Sequence, residues 1–132
     1  MNNAHRHLPI YQCAETTRKA VLQLLDTVAS TNKEHDLVRD IQKNANALLD
    51  DIETGTRDSS TPEELILYLK QGEMRAAYTF YLLLMSTDLQ AIPDNNAQVT
   101  ARDELDAFLQ NVRTLIGNIY DALEAEKNAS SS

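Results

Sequence analysis

Thr61-Pro62-Glu63-Glu64-Leu65-Ile66-Leu67-Tyr68-Leu69-Lys70-Gln71-Gly72-Glu73-Met74-Arg75-Ala76 opens a run with helical apolar spacing that continues to Ala91. A threonine before proline is a helix start. Its hydroxyl accepts from a free N–H of the first turn, proline occupies a position that needs no donor, and Glu64 can reach back to close a capping box. No further proline follows until Pro93. The run predicts a helix of about 30 residues, roughly 45 Å long. That length suits a bundle of long rods. Leu65, Leu69, Gly72, Ala76, Phe80, Leu83 and Thr87 form one stripe, with Ile66, Ala77 and Leu84 beside it. From Ala76 to Met85 the rod is apolar nearly all round. It is therefore expected to be covered on more than one side.

Working outward, three further helical segments emerge. The first spans about Pro9 to Ser30, with Ile10, Tyr11, Ala14, Val21, Leu24, Leu25 and Val28 as its stripe. The second spans about Lys33 to Thr54. Leu37, Ile41, Ala45, Leu48 and Ile52 step along one helix face, and Gly55 fits a left-handed C-cap. The last spans about Ala97 to Glu126, where Leu105, Leu109, Val112, Ile116, Ile119 and Leu123 alternate steps of four and three. No run alternates as a strand does. The expected fold is all-α: a single domain over 1–132, built as an up-down-up-down antiparallel four-helix bundle. Residues 1–7 are expected as a polar N-terminal arm and 128–132 as a frayed tail. Gly72 and Gly117 are expected at close helix approaches.

The totals narrow the function classes. The 132 residues carry a net charge of -8, which disfavours nucleic-acid binding across the whole surface. Cys13 is the only cysteine, so no internal disulfide forms and a reducing compartment is expected. No apolar run is long enough to span a membrane. The polar start lacks a secretory h-region, and a cytoplasmic location is the expectation.

Chemistry-bearing constellations are sparse. No Glu-x-x-His pair of the di-iron bundles occurs. His5 and His7 flank one residue within the arm. Asp50, Asp51 and Glu53, with Asp103 and Asp106 elsewhere, form an incomplete carboxylate set for a metal-dependent hydrolase. Three scattered glycines make no phosphate loop. The chain is therefore expected to be no enzyme and to carry no metal and no cofactor. An arginine at the edge of an apolar stripe, as Arg18 and Arg75 are, is first read as ion-paired or snorkelling.

Three stretches carry a resemblance. Leu8-Pro9-Ile10-Tyr11-Gln12 resembles the opening of the four-helix-bundle family that includes the accessory variability determinant of diversity-generating retroelements and proteins encoded in intervening sequences of bacterial 23S rRNA genes. Asp51-Ile52-Glu53-Thr54-Gly55-Thr56-Arg57 resembles the end of that family's second helix, with Gly55 and Arg57 matching. Tyr68-Leu69 and Gly72 fit its third helix, and Glu73, Met74 and Arg75 depart from it. The likeness covers residues 8 to 123.

The resemblance implies a non-enzymatic bundle, a homopentameric ring with a central channel, and binding to a reverse transcriptase and template RNA through basic surfaces. The acidity of this chain departs from that last feature. Assembly through apolar surface is compatible with it. The expectation is thus an oligomeric accessory or scaffold protein for a reverse transcriptase or other nucleic-acid machinery. Arg39, Lys43, Arg57 and Arg75 are its expected partner contacts, and Gly72, Phe80, Leu84 and Ile116 its self-association residues. The alternatives are RNA binding by a local basic patch and an acidic metal-dependent hydrolase.

Overall fold

A computed structural model describes residues 3–130, and every regular element among them is helical. The four long helices are α1 (Pro9–Asp26), α2 (Asp36–Asp58), α3 (Pro62–Asp88) and α4 (Asn96–Ser130). Short 3-10 turns at Ala4–His7 and Ser30–Asn32 precede α1 and α2.

Local chemistry sets most of the ends. At the start of α3, the Thr61 hydroxyl accepts from the Glu64 N–H at 3.2 Å. The Glu64 carboxylate accepts from the Ser60 N–H at 2.9 Å, one residue before the usual capping-box partner. α2 begins three residues after the expected Lys33, because His35 caps it: Nδ1 accepts from the Leu37 N–H at 3.1 Å. α1 closes at Asp26, before the expected Ser30, where the Thr27 hydroxyl donates to the Leu24 carbonyl at 2.7 Å. α3 stops at Asp88, and Gln90 turns the chain with φ 59.

Antiparallel order follows from the contacts between helices. Thr17 of α1 donates to the Glu104 carbonyl of α4, and Cys13, a turn earlier, meets Asn111, two turns later. Arg18 of α1 donates to Asn46 of α2 at 2.8 Å. Arg75 meets Asn44 across α2 and α3, and Arg113 meets Glu73 across α3 and α4. Each helix packs on its neighbour in sequence, and α4 closes against α1. This is the up-down-up-down bundle.

The core holds Val21 and Leu24 from α1, Ile41, Leu48 and Ile52 from α2, Leu69, Ala76 and Leu83 from α3, and Leu105, Phe108 and Val112 from α4. All but Phe108 belong to the expected stripes; Phe108, beside Leu109, is a core residue those stripes did not include. Some buried polar groups find partners nearby. Gln98 donates to the Pro93 carbonyl and to the Thr87 hydroxyl, which ties the start of α4 to the end of α3.

Several expectations need correcting. Gly55 is not a C-cap. It lies inside α2, which runs on to Asp58, and it faces the Tyr68 side chain of α3. Gly117 has nothing within 4 Å of where a Cβ would stand, so it marks no close approach. Gly72 does, since its absent Cβ leaves room for Ile52. Within the expected arm, Ala4–His7 is folded and His5 is buried. Its Nε2 stands 3.4 Å from a Glu53 carboxylate oxygen, and its ring meets Tyr11 edge-on at 5.5 Å. An acid and an aromatic face together give the histidine a reason to turn inward. In the expected tail, α4 continues to Ser130, with no proline or glycine after Gly117 to stop it. Met1, Asn2, Ser131 and Ser132 lie outside the described residues.

Candidate interaction surface

α3 carries more apolar residues than the bundle covers. Its inward face is Ile66, Leu69, Gly72, Ala76, Thr79, Leu82, Leu83 and Ser86. Directly opposite, a second series steps by four and three: Leu67, Gln71, Met74, Tyr78, Tyr81, Met85, Asp88. That is the spacing of a coiled-coil seam, here turned to solvent. Leu67 is 63% exposed, Met74 69%, Tyr78 48% and Tyr81 57%. Met85 is half-buried. Lys70 and Leu84 flank the seam, Lys70 reaching Tyr120 of α4 and Leu84 being 41% exposed. The rod is thus covered on its core side only, and its apolar outer face is open. Large apolar side chains in a contiguous exposed strip mark a contact surface.

The four basic candidates divide into two places. Lys43 and Arg75 line one shallow groove between α2 and α3, together with Asp40, Asn44, Met74 and Tyr78. This groove adjoins the seam through Met74 and Tyr78. Arg39 lies one helical turn before Lys43, and its guanidinium is 3.3 Å from Glu34. Arg57 sits near the far end of α2, paired with Asp58 at 2.9 Å and close to Glu53. Arg75 lies 3.7 Å from Asp51. Three of the four therefore face acids, and they do not make one uninterrupted basic patch. Burial pushes the Asp51 carboxyl above its ordinary range, Arg75 partly opposes that rise, and Asp50 adds to it.

The self-association candidates divide as well. Gly72 and Ile116 are buried inside the single chain and offer no surface to another copy. They hold the core instead, Gly72 against Ile52 and Phe108. Phe80 is half-buried and packs on the same core. Leu84 alone of the four is exposed. Leu67, Met74, Tyr78 and Tyr81 are the residues that sequence reasoning passed over. Their signal was a second four-three series opposite the core stripe.

A second depression lies at the opposite end, where α4 runs beside the turn between α2 and α3. Leu65, Thr56 and Asn118 join its two lobes, with Leu115 and Ile119 as apolar walls. Cys13 is half-buried on α1, against Asn111. Among the described residues, no three His, Cys, Asp or Glu side chains gather as a metal site would require. No helix among them is long and apolar enough to cross a membrane. In comparison with known proteins, no family model matches the chain, and neither a curated protein nor a solved structure does.

Proposed function

We propose that this chain is a non-enzymatic interaction protein, a self-associating four-helix bundle that serves as an accessory scaffold. The observation that supports this reading is the exposed four-three seam of α3. Leu67, Met74, Tyr78 and Tyr81 stay about half exposed or more opposite the core, which forgoes part of the roughly 1.5–3 kcal/mol that full burial of a large apolar side chain gives. The resemblance to retroelement accessory proteins adds a partner class: a reverse transcriptase or another nucleic-acid-processing protein, met in the cytoplasm. Lys43 and Arg75, beside Met74 and Tyr78, are the polar groups best placed to orient such a partner.

RNA is the weaker occupant. Arg39, Arg57 and Arg75 each stand near a carboxylate, and phosphate contacts would have to displace those acids in a chain of net charge -8.

Light scattering on the purified chain tests the reading. A mass above 14.8 kDa that falls to the monomer in Tyr78→Glu, with helicity unchanged, is the expected result. A wild-type chain that stays monomeric at high micromolar concentration would overturn it.

A further inference from the structure

Resting on that self-association, we infer that the assembly unit is an antiparallel pair of copies, joined α3 to α3 across a two-fold axis. The first ground is the number of apolar surfaces. Leu67, Met74, Tyr78, Tyr81 and Leu84 lie on α3 and Leu89 follows it, while the other large exposed apolar residues among those described, Leu8, Val99 and Tyr120, are spread over other elements. A ring of five, the number the resemblance implies, joins two different complementary patches on each subunit. A two-fold pair joins one patch to itself. Among the described residues, this chain presents one exposed apolar strip along a helix face; its other apolar region is the recessed depression walled by Leu115 and Ile119.

The second ground is charge and register. In an antiparallel seam each four-position meets a three-position of the other helix. With the axis near Thr79, Tyr78 lies across from Tyr81 of the second copy and Met74 across from its Met85. Gln71 and Lys70 then lie beside its Asp88. The symmetry makes this polar meeting twice, at sites roughly 27 Å apart along the helix. Sliding the pair by one heptad sets Asp88 beside Glu64 of the second copy, like charge against like. A parallel pair sets Lys70 beside Lys70 and Asp88 beside Asp88. Only the first arrangement joins aromatic to aromatic, methionine to methionine and cation to anion. Within one chain Lys70 donates to the Tyr120 hydroxyl at 2.9 Å, on the same flank as Asp88, so its ammonium already leans to the side where the second copy's carboxylate arrives.

Charge reversal tests the pair on the full chain, by light scattering over a concentration series. The expected wild-type mass is twice that of the chain. Lys70→Glu and Asp88→Lys should each weaken dimerisation about tenfold, and the double variant should restore it. Rescue is the decisive readout, because Lys70→Glu also removes the contact with Tyr120. Should that variant lose helicity, Asp88→Lys, at an exposed helix end, carries the same test against the second copy's Lys70 and Gln71. A wild-type dimer indifferent to Asp88→Lys, or an assembly of five, overturns the antiparallel pair and leaves self-association standing. A monomer at every concentration overturns both.

Discussion

The Cβ that Gly55 lacks would stand 2.5 Å from the Cβ of Tyr68, so α2 and α3 meet near their shared turn at a distance only a glycine permits. The atom in the way belongs to the root of a side chain, and no rotation removes it. Gly55→Ala is expected to destabilise the fold by about 1–3 kcal/mol, despite alanine's better helix propensity. At Gly72 the nearest atom is the tip of Ile52, at 2.7 Å, which can shift, so Gly72→Ala should cost less. Gly117→Ala meets nothing, and a helix-interior alanine there should stabilise by about 0.5–1 kcal/mol. Urea denaturation of the three variants checks the order. Equal losses at Gly55 and Gly117 would contradict it.

Gln90 ends α3 in the left-handed region, with φ 59. The Ala91 N–H reaches the Ser86 carbonyl at 2.8 Å and the Gln90 N–H the Thr87 carbonyl at 3.0 Å, the bonding of a Schellman turn. Glycine is the usual residue at that place because a Cβ is strained there. Gln90→Gly should raise stability by about 1 kcal/mol and leave the helical signal unchanged. Thermal unfolding that shows a lower midpoint would count against this cap geometry.

The Ser86 hydroxyl is buried and finds no hydrogen-bond partner among the described residues. Folding strips it of water with nothing in return. Ser86→Ala should therefore stabilise by about 1 kcal/mol, read from the denaturation midpoint. A loss of similar size would mean that the hydroxyl is satisfied after all.

Asp51 gives the chain a pH dependence of defined sign. Its folded pKa is raised, chiefly by burial, so the folded state holds that proton more tightly than the unfolded state does. The associated stability is present in acid and is lost as pH rises from the ordinary value of 3.8 through the raised folded value. Asp51→Asn does not ionise. Its stability relative to wild type should grow between about pH 3 and about pH 7. Urea titrations at both ends measure this, and a difference that shrinks with pH would reverse the assignment.

Much of the bundle is legible along the chain. Thr61-Pro62 with Glu64 announces α3, and the Thr61–Glu64 bond is present at 3.2 Å. Ile41, Ala45, Leu48 and Ile52 point inward as their spacing requires, and so do Leu105, Leu109, Val112 and Ile116. These readings hold because a helix's period and its caps are properties of neighbouring residues. Gly55 misleads for the opposite reason. A glycine that ends a helix and one that admits another helix look alike until the second helix is in place. His5 was legible only as a polar residue near the start, since Glu53, its partner, lies 48 residues away. The four basic candidates were legible as charges, and the acids beside Arg39 and Arg57 are close in the sequence, but Asp51, which faces Arg75 from another helix, meets it only on folding.

The interaction surface divides in the same way. Composition and period alone establish four amphipathic helices and an α3 apolar on nearly every side. They do not say which of its two stripes turns inward. That choice belongs to the packing of α2 and α4, whose contacts with Gly72 and Glu73 rotate one stripe into the core and leave Leu67, Met74, Tyr78 and Tyr81 to solvent. Helical periodicity is written within a few turns of chain. Exposure is decided by segments tens of residues distant, and it exists only once those segments have met.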